Sequence, residues 1–178
     1  IYSRFSNPSV QEFIDKMCVL EGTEAGFATA SGMSAIFASF MALLKSGDHL
    51  LACNSLFGST HTVITKYLPR FGITYTYVDA NDIDAWGSAV TPQTKMLYLE
   101  TPTNPGLDII DLEKASALCK KHNLLFNVDN CFATPVCQQP IKYGADLVVH
   151  SATKWIGGQG RVMGGIVLGK KELIKEIY

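Results

Sequence analysis

A chain of 178 residues, 47% of them apolar, can bury one substantial core and leaves little room for a second domain. Its 16 acidic and 15 basic residues give a formal charge of -1 with no run of either sign, which argues against nucleic acid or a membrane as partner. Five cysteines without a CxxC pair indicate reduced thiols. With no apolar segment of roughly 18 residues and no signal peptide, we expect a cytoplasmic protein.

Helix-like and strand-like segments alternate along the chain. Helices are predicted at residues 10–20, 34–44, 59–71, 82–86 and 111–122, with a last one at 172–178. Strands are predicted at residues 26–30, 49–53, 73–78, 95–99, 124–128, 147–150 and 165–168. Strands separated by helices need crossover connections. We therefore predict an α/β fold with a mostly parallel sheet and helices on both faces.

A lysine follows the strand predicted at residues 147–150. Lys154 comes after the hydroxyl side chains of Ser151 and Thr153 and before the glycine-rich residues 157–160. In such a sheet ligands bind at the carboxyl ends of the strands. A lysine there can act as a nucleophile beside an anion, and the plain alternative is a solvated loop residue.

Two further loops offer matching chemistry. Ser31, Gly32 and Met33 lie where a strand turns into a helix and can hold a phosphate, although an N-cap serine followed by glycine explains them too. Asp129 ends a strand and can pair with a protonated ring nitrogen, although a turn aspartate is the alternative. A lysine, an acid and a phosphate cradle are together what pyridoxal phosphate requires.

Competing motifs are incomplete. The spacing of Ser151 and Lys154 matches the serine and lysine of penicillin-binding acyl enzymes, but the SDN and KTG elements are absent. Residues 164–170 fit GxxxxGK, yet Lys171 stands where a P-loop needs Ser or Thr. The four histidines lack metal-site spacing, so we expect no metal.

Five segments carry a family resemblance: residues 2–8 (YSRFSNP), 30–35 (ASGMSA), 100–105 (ETPTNP), 128–130 (VDN) and 150–154 (HSATK). In this order they resemble the pyridoxal-phosphate enzymes of cysteine and methionine metabolism, which include cystathionine synthases and lyases, methionine gamma-lyase and homoserine-ester sulfhydrylases. The resemblance implies the large, cofactor-binding domain of an aspartate aminotransferase-like fold. We expect residues 1–178 to be a fragment of it, with most of an amino-terminal arm and a carboxyl-terminal domain outside the sequence.

The resemblance also implies a role for each candidate residue. Lys154 would join the cofactor as a Schiff base and move protons once substrate releases it, and Asp129 would pair with the pyridinium nitrogen. The phosphate would be held by Ser31, Gly32, Met33, Ser151 and Thr153.

Four more residues complete the implied site. Phe57 would stack on the ring, and Asn104 would lie near the phenolic oxygen of the cofactor. Tyr2 and Arg4 would reach the cofactor of a neighbouring subunit, which implies a homodimer within a homotetramer.

Departures from the family pattern indicate the reaction. Phe57 replaces a tyrosine, which keeps the stacking and loses the hydroxyl of the lyase proton relay. Ser59 replaces the cysteine of methionine gamma-lyases, and Arg161 replaces an acidic residue common in lyases. Residues 129–135 and 138–140 also look most like the O-succinylhomoserine sulfhydrylases.

We therefore predict gamma-replacement, in which sulfide displaces the ester of O-succinylhomoserine or O-acetylhomoserine to give homocysteine. Two alternatives stay open. One is a methionine or cystathionine gamma-lyase or a cystathionine gamma-synthase. The other is a cofactor-binding fragment without turnover, because the family's arginine for the substrate carboxylate lies in the carboxyl-terminal domain.

Overall fold

The structure is a computed structural model that describes residues 2–3 and 5–178. Within that part of the chain the strands are β1 (Ala25–Thr29), β2 (His49–Cys53), β3 (Thr74–Val78), β4 (Thr94–Glu100), β5 (Leu125–Asp129), β6 (Leu147–Ser151) and β7 (Gly165–Gly169). The α-helices are α1 (Pro8–Glu21), α2 (Gly32–Leu43), α3 (Gly58–Thr62), α4 (Leu112–His122), α5 (Thr134–Cys137) and α6 (Lys171–Ile177). A π-helical turn (Val63–Tyr67) and three 3-10 segments (Leu68–Phe71, Ile83–Ala89 and Pro140–Tyr143) complete the elements.

One sheet joins these strands in the order β1-β7-β6-β5-β4-β2-β3. Strands β2 to β6 run parallel, and β7 is antiparallel to both of its neighbours. The exception has a simple cause, because residues 152–164 between β6 and β7 contain no helix that could carry the chain back for a parallel return. The prediction of a mostly parallel α/β sheet is confirmed.

The centre of the sheet is apolar because it is covered on both faces. Every residue of β2 and β7 is buried, as expected for strands that lie between layers of helices. Helix α2 packs on β6 and β7, α1 packs on β1, and α4 packs on β5. This packing leaves the loops after β4, β5 and β6 at one edge of the sheet, beside the start of α2.

The helix predicted at residues 59–71 is present, but its hydrogen-bonding pattern changes along the segment. The segment forms α3, then the π-helical turn, then a 3-10 segment. The hydroxyls of Thr62 and Thr65 donate to the carbonyls of Gly58 and His61, at 3.1 and 2.8 Å, which competes with regular helical bonding. Pro69 also lacks the amide hydrogen that a helix interior needs.

Other boundaries differ by smaller amounts. Helix α1 begins at Pro8, two residues before the prediction, because Asn7 Oδ1 accepts from the amides of Ser9 and Val10 at 2.9 and 3.3 Å. The helix predicted at residues 82–86 is the 3-10 segment Ile83–Ala89. Helix α5 and the segment Pro140–Tyr143 were not predicted, because both are single turns too short to show a period.

Across the part of the chain described here, none of the helices combines the length and the apolar character that crossing a bilayer requires. The five cysteines carry free thiols, and Cys137 is the exposed one among them. Three of the five, Cys53, Cys119 and Cys131, are buried.

Candidate active site

A cavity of about 200 Å³ lies at the carboxyl ends of β4, β5 and β6. It brings together nine of the residues predicted from separate loops. They are Ser31, Gly32, Met33, Phe57, Asn104, Asp129, Ser151, Thr153 and Lys154. Ile36, Glu100, Cys131, Phe132 and Met163 complete the lining. The predicted candidates therefore share one site, as the rule for parallel sheets requires.

At the start of α2, Ser31 acts as an N-cap, and the residues after it leave an anion-binding position open. Its Oγ accepts from the Ser34 amide at 3.1 Å, and Ser34 Oγ accepts from the Ser31 amide at 2.9 Å, which is a reciprocal capping box. Ser31 is therefore an N-cap, and its hydroxyl is engaged in the cap. Among the described residues the amides of Gly32 and Met33 meet no acceptor, so they can receive an anion at the positive end of the helix.

Glycines allow three backbone segments to meet beside these amides. A Cβ on Gly32 would lie 2.6 Å from Ser151 Cβ, and a Cβ on Gly165 would lie 2.1 Å from the Ser31 carbonyl oxygen. Any larger side chain would push the segments apart. The start of α2, the loop after β6 and the start of β7 are thus fixed side by side.

The hydroxyls of Ser151 and Thr153 differ in their surroundings. Thr153 Oγ1 donates to the Gly164 carbonyl at 3.2 Å and accepts from the Gly164 amide at 3.1 Å, which ties the loop to the start of β7. The Ser151 side chain lines the cavity beside the start of α2, with its Oγ 3.1 Å from where a Cβ on Gly32 would lie, so its hydroxyl can donate to a ligand there. We call Ser31, Gly32, Met33, Ser151 and Thr153 the phosphate wall.

The opposite side of the cavity is built from buried acids. Strands β4 and β5 pair so that Glu100 lies beside Asp129, and Tyr98 lies two residues before Glu100 on the same face. Asp129 Oδ1 accepts from the Cys131 amide at 3.0 Å, and Oδ2 accepts from the Tyr98 hydroxyl at 3.2 Å. Burial raises the pKa of Asp129, and these hydrogen bonds oppose the rise. We call Tyr98, Glu100, Asp129 and Phe57 the ring wall.

Glu100 was missed as a functional residue by the sequence analysis. Its side chain is 3% exposed, and its Oε2 accepts from the Phe57 amide at 2.8 Å. Burial raises the pKa of Glu100 to about 8, and the neighbouring charge of Asp129 acts in the same direction. The available signal was an acidic residue ending an otherwise apolar strand, in the segment that carries Asn104.

Lys154 lies in the turn that follows β6. Its amide donates to the Ser151 carbonyl at 3.2 Å, and its carbonyl accepts from the Gly158 amide at 2.9 Å, so the backbone is held on both sides. Within residues 2–3 and 5–178 the amine forms no ion pair. Nearby, burial raises the pKa of the Cys131 thiol to about 11, so that side chain is a neutral thiol at neutral pH.

A second buried network supports the loops from behind. Glu21, fully buried at the end of α1, meets His150 Nε2 at 2.5 Å and accepts from Asn130 Nδ2 at 2.8 Å through the same oxygen. Gln138 donates to Asn130 Oδ1 at 2.8 Å and to the Thr101 carbonyl at 3.0 Å. Because Asn130 follows Asp129 and His150 precedes Ser151, one carboxyl group links both walls. Sequence periodicity gave no sign of this network.

Tyr2 and Arg4 are not placed in this cavity. The Tyr2 ring is 62% exposed and packs edge-on against Phe5 with ring centroids 5.7 Å apart. Arg4 lies outside the described residues. Their contribution to a neighbouring subunit stays a prediction.

Among the described side chains, no three His, Cys, Asp or Glu residues lie close enough to one another to hold a metal ion. The four histidines instead include buried hydrogen-bonded ones, such as His49, whose two ring nitrogens meet Thr94 and Thr76 at 2.8 and 2.9 Å.

Comparison with known proteins gives a consistent family. The family model for Cys/Met metabolism PLP-dependent enzyme matches residues 1–178. An O-succinylhomoserine sulfhydrylase from Pseudomonas aeruginosa is 49% identical over 99% of this chain and 44% of its own length. An L-methionine gamma-lyase from Fusobacterium nucleatum subsp. polymorphum is 46% identical over 99% of this chain and 45% of its own length.

A solved structure extends the comparison to three dimensions. It is a putative O-acetylhomoserine (thiol)-lyase from Campylobacter jejuni subsp. jejuni, with N'-pyridoxyl-lysine-5'-monophosphate in its chain. It matches with a TM-score of 0.92 and 37% identity, over 99% of this chain and 44% of its own. The chain thus spans less than half the length of these relatives.

Proposed function

Since the chain belongs to the Cys/Met metabolism PLP-dependent enzymes, we propose that its cavity binds pyridoxal 5'-phosphate through Lys154. The observation that carries the proposal is the meeting of Lys154, Asp129 and the start of α2 in one cavity. The donor set fits the cofactor, because amides and a hydroxyl suit its phosphate, a carboxylate suits its ring nitrogen and an amine suits its aldehyde. Because Gly32 has no Cβ, Ser151 packs directly against it, and this brings the Ser151 hydroxyl beside the amides at the start of α2.

The cofactor, when bound, supplies an aldehyde that captures amines and a ring that withdraws electrons from an adjacent carbon. On the phosphate wall, the Gly32 and Met33 amides and the Ser151 hydroxyl donate hydrogen bonds to the phosphate. The Thr153 hydroxyl also lines the phosphate wall. Its two hydrogen bonds to Gly164 hold the loop after β6 against the start of β7.

On the ring wall, Asp129 accepts the hydrogen bond of the ring nitrogen and keeps that nitrogen protonated. The Tyr98 hydroxyl fixes the orientation of the Asp129 carboxylate. Phe57 would cover one face of the ring, and Asn104 would donate to the phenolic oxygen. The amine of Lys154 would be the base that takes and returns protons at the substrate carbons.

We propose gamma-replacement as the reaction: sulfide takes the place of the ester on the gamma carbon of O-succinylhomoserine, or of O-acetylhomoserine, and homocysteine and the free acid leave. The 49% identical sulfhydrylase supports this choice. So does Phe57, which lines the cavity without the hydroxyl that a lyase proton relay uses. Because the chain spans less than half of that relative, the substrate carboxylate would be held by residues of the longer protein.

A gamma-lyase is the second candidate. The methionine gamma-lyase that is 46% identical to this chain favours it. The sulfhydrylase, at 49%, is nearly equally similar, and the two reactions share a cofactor. A cystathionine gamma-synthase would use the same walls with a thiol amino acid in place of sulfide. The cavity serves all three.

The complete protein is proposed to work in the cytoplasm as a homotetramer of dimer pairs, with Tyr2 and Arg4 completing the site of a neighbouring copy. The resemblance of residues 2–8 to the family's segment supports this, and the Tyr2 side chain lies at the surface, 62% exposed. Sedimentation of the full-length enzyme would test it. A monomer that retains full activity would exclude the shared site.

The first experiment tests cofactor binding. Pyridoxal 5'-phosphate added to the full-length protein should give an absorbance band near the visible edge that survives gel filtration. Borohydride reduction and peptide mapping should then place the cofactor mass on Lys154. Lys154→Ala should lose both signals, and Lys142→Ala, which removes an exposed lysine elsewhere, should lose neither. A colourless wild type would exclude the proposal.

The second experiment tests the reaction. The full-length enzyme is supplied with O-succinylhomoserine, O-acetylhomoserine, cystathionine or methionine, each with and without sulfide, and the products are identified. Homocysteine from an ester and sulfide supports gamma-replacement. Keto acid and ammonia from methionine, with no homocysteine from either ester, would assign the lyase reaction instead.

A further inference from the structure

We propose that Glu100 is a positioning residue of the cofactor site: as a neutral carboxylic acid it holds the Phe57 backbone at the cavity and leaves Asp129 as the one negative charge of the ring wall. This rests on the proposed cofactor site and adds to it a residue that the proposed chemistry does not use. It predicts that charge at Glu100 is dispensable and that its hydrogen-bond acceptor is required.

The contact with Phe57 is the first support. Phe57 precedes the short helix α3, has no side-chain cap, and leaves its ring 41% exposed. Its ring is therefore held weakly by packing, and its position depends on the backbone. The Phe57 amide donates to Glu100 Oε2 at 2.8 Å, and Glu100 is anchored at the end of β4 and 3% exposed. Glu100 thus connects the loop that carries the stacking ring to the rigid sheet.

The arrangement of donors around the two acids is the second support. Asp129 accepts from two donors, the Cys131 amide and the Tyr98 hydroxyl, whereas Glu100 accepts from one. Two adjacent buried carboxyl groups cannot both ionise without strong repulsion. The charge belongs on the acid with more donors, so Asp129 carries it and Glu100 keeps the proton.

The other titratable groups near Glu100 do not change this assignment. Burial raises the pKa of the Cys53 and Cys131 thiols to about 11 each, and that of Tyr98 well above its usual value, so all three are neutral at neutral pH. A positive charge on His150 lowers the pKa of Asp129 and so favours its ionised form, and Lys154 brings a positive charge to the same cavity. A second anion at Glu100 would compete with Asp129 for that positive charge and for the ring nitrogen.

The test compares three variants of the full-length holoenzyme. Glu100→Gln is neutral and keeps an oxygen that can accept from the Phe57 amide, whereas Glu100→Ala loses that acceptor. Glu176→Gln changes an exposed acid of α6 and serves as the control. The measurements are the dissociation constant of pyridoxal 5'-phosphate, the visible circular dichroism of the bound cofactor, and the infrared carbonyl band of a protonated carboxyl group at neutral pH.

We expect Glu100→Gln to bind the cofactor within about twofold of wild type and to keep its circular dichroism, since the contact and the neutrality remain. Glu100→Ala should weaken binding by about tenfold and reduce the circular dichroism, the size expected for one lost hydrogen bond. The infrared band should be present in wild type and Glu176→Gln and absent from Glu100→Gln. This last result does not depend on how well Glu100→Ala folds.

Three outcomes would overturn the inference while leaving the cofactor site intact. They are an infrared band that persists in Glu100→Gln, a Glu100→Gln variant as defective as Glu100→Ala, and a Glu100→Ala variant that matches wild type. A wild-type protein that binds no cofactor at Lys154 would instead refute the proposed function, and this inference with it.

Discussion

The two walls of the cavity are built in different ways. The phosphate wall is made by backbone segments that touch because Gly32 and Gly165 carry no side chain. The ring wall is made by side chains that share buried hydrogen bonds and charge, with Glu100 beside Asp129. A close-packed backbone wall either forms or does not form, whereas a wall of titratable side chains changes gradually as single hydrogen bonds are lost or as the pH changes. Changes to the first should therefore be abrupt and changes to the second graded.

The largest effect is expected from Gly165→Ala. The added Cβ would lie 2.1 Å from the Ser31 carbonyl oxygen and 2.7 Å from the Gly32 amide nitrogen, so the start of α2 must move. We expect a loss of more than about 3 kcal/mol in the free energy of unfolding. Cofactor affinity should fall by about 100-fold or more, since a displacement of about 1 Å is costly at a reacting site.

Gly87→Ala is the matched control, because its Cβ would meet Leu118 at an ordinary 3.7 Å. Urea unfolding and titration with pyridoxal 5'-phosphate are the measurements for both variants. A Gly165→Ala protein with cofactor affinity like that of Gly87→Ala would show that the phosphate wall is adaptable.

The next effect concerns the network that joins the walls. Glu21→Ala removes the acceptor shared by His150 and Asn130, both fully buried. Leaving His150 Nε2 and one of the two Asn130 amide hydrogens without a partner, while the other still donates to the Gln138 carbonyl, should cost about 3 kcal/mol of unfolding free energy. The cofactor affinity should fall as well, because the residue after Asp129 and the residue before Ser151 are released together.

Two further variants sharpen this result. Glu21→Gln keeps an oxygen for the Asn130 amide and should lose less stability than Glu21→Ala. Glu176→Ala, at an exposed position of α6, should leave the unfolding curve unchanged. Equal stability of wild type and Glu21→Ala would contradict a structural link between the walls.

A pH-dependent effect is expected from the ring wall. Folding raises the pKa of Glu100 from 4.5 to about 8, so the folded state binds this proton more tightly. The stability that this provides is fully present below pH 4.5 and is lost as the pH rises through about 8, at about 1.4 kcal/mol per pH unit.

In Glu100→Gln this side chain cannot ionise. The unfolding free energy of the variant should therefore lack this part of its dependence on pH. Urea unfolding of the cofactor-free protein between about pH 5 and pH 8 measures it. Wild type should lose stability relative to Glu100→Gln as the pH rises across this window. Parallel curves for the two proteins would show that Glu100 is not protonated in the folded chain.

The contrast between the two walls also explains which site residues could be predicted from the sequence. Ser31, Gly32, Ser151 and Lys154 lie at strand ends in short polar or glycine-rich segments, so their shared edge follows from the parallel sheet. The strands themselves were found to within two residues because apolar runs and turn residues mark them.

The remaining parts depend on contacts between distant segments. Glu21 and His150 are 129 positions apart, and nothing in either local pattern indicates that they meet. The partnership of Glu100 with Asp129 requires the register of β4 on β5, which hydrophobic periodicity does not give. Likewise, the change from α-helical to π-helical bonding after Thr62 depends on side-chain bonds to the backbone, which hydrophobic periodicity does not show.

The smallest effect is expected from Tyr98→Phe. The ring would keep its edge-on packing against Phe40, with centroids 4.9 Å apart, and lose only the hydroxyl that donates to Asp129 Oδ2 at 3.2 Å. One donor fewer raises the pKa of the Asp129 carboxyl group further and weakens its hold on a protonated ring nitrogen. Cofactor affinity should fall by about fivefold, or about 1 kcal/mol. Tyr75→Phe, on β3 and away from the cavity, should bind the cofactor as wild type does. If Tyr98→Phe also binds as wild type does, Asp129 is oriented by the Cys131 amide alone, and the graded behaviour of the ring wall belongs to Glu100 only.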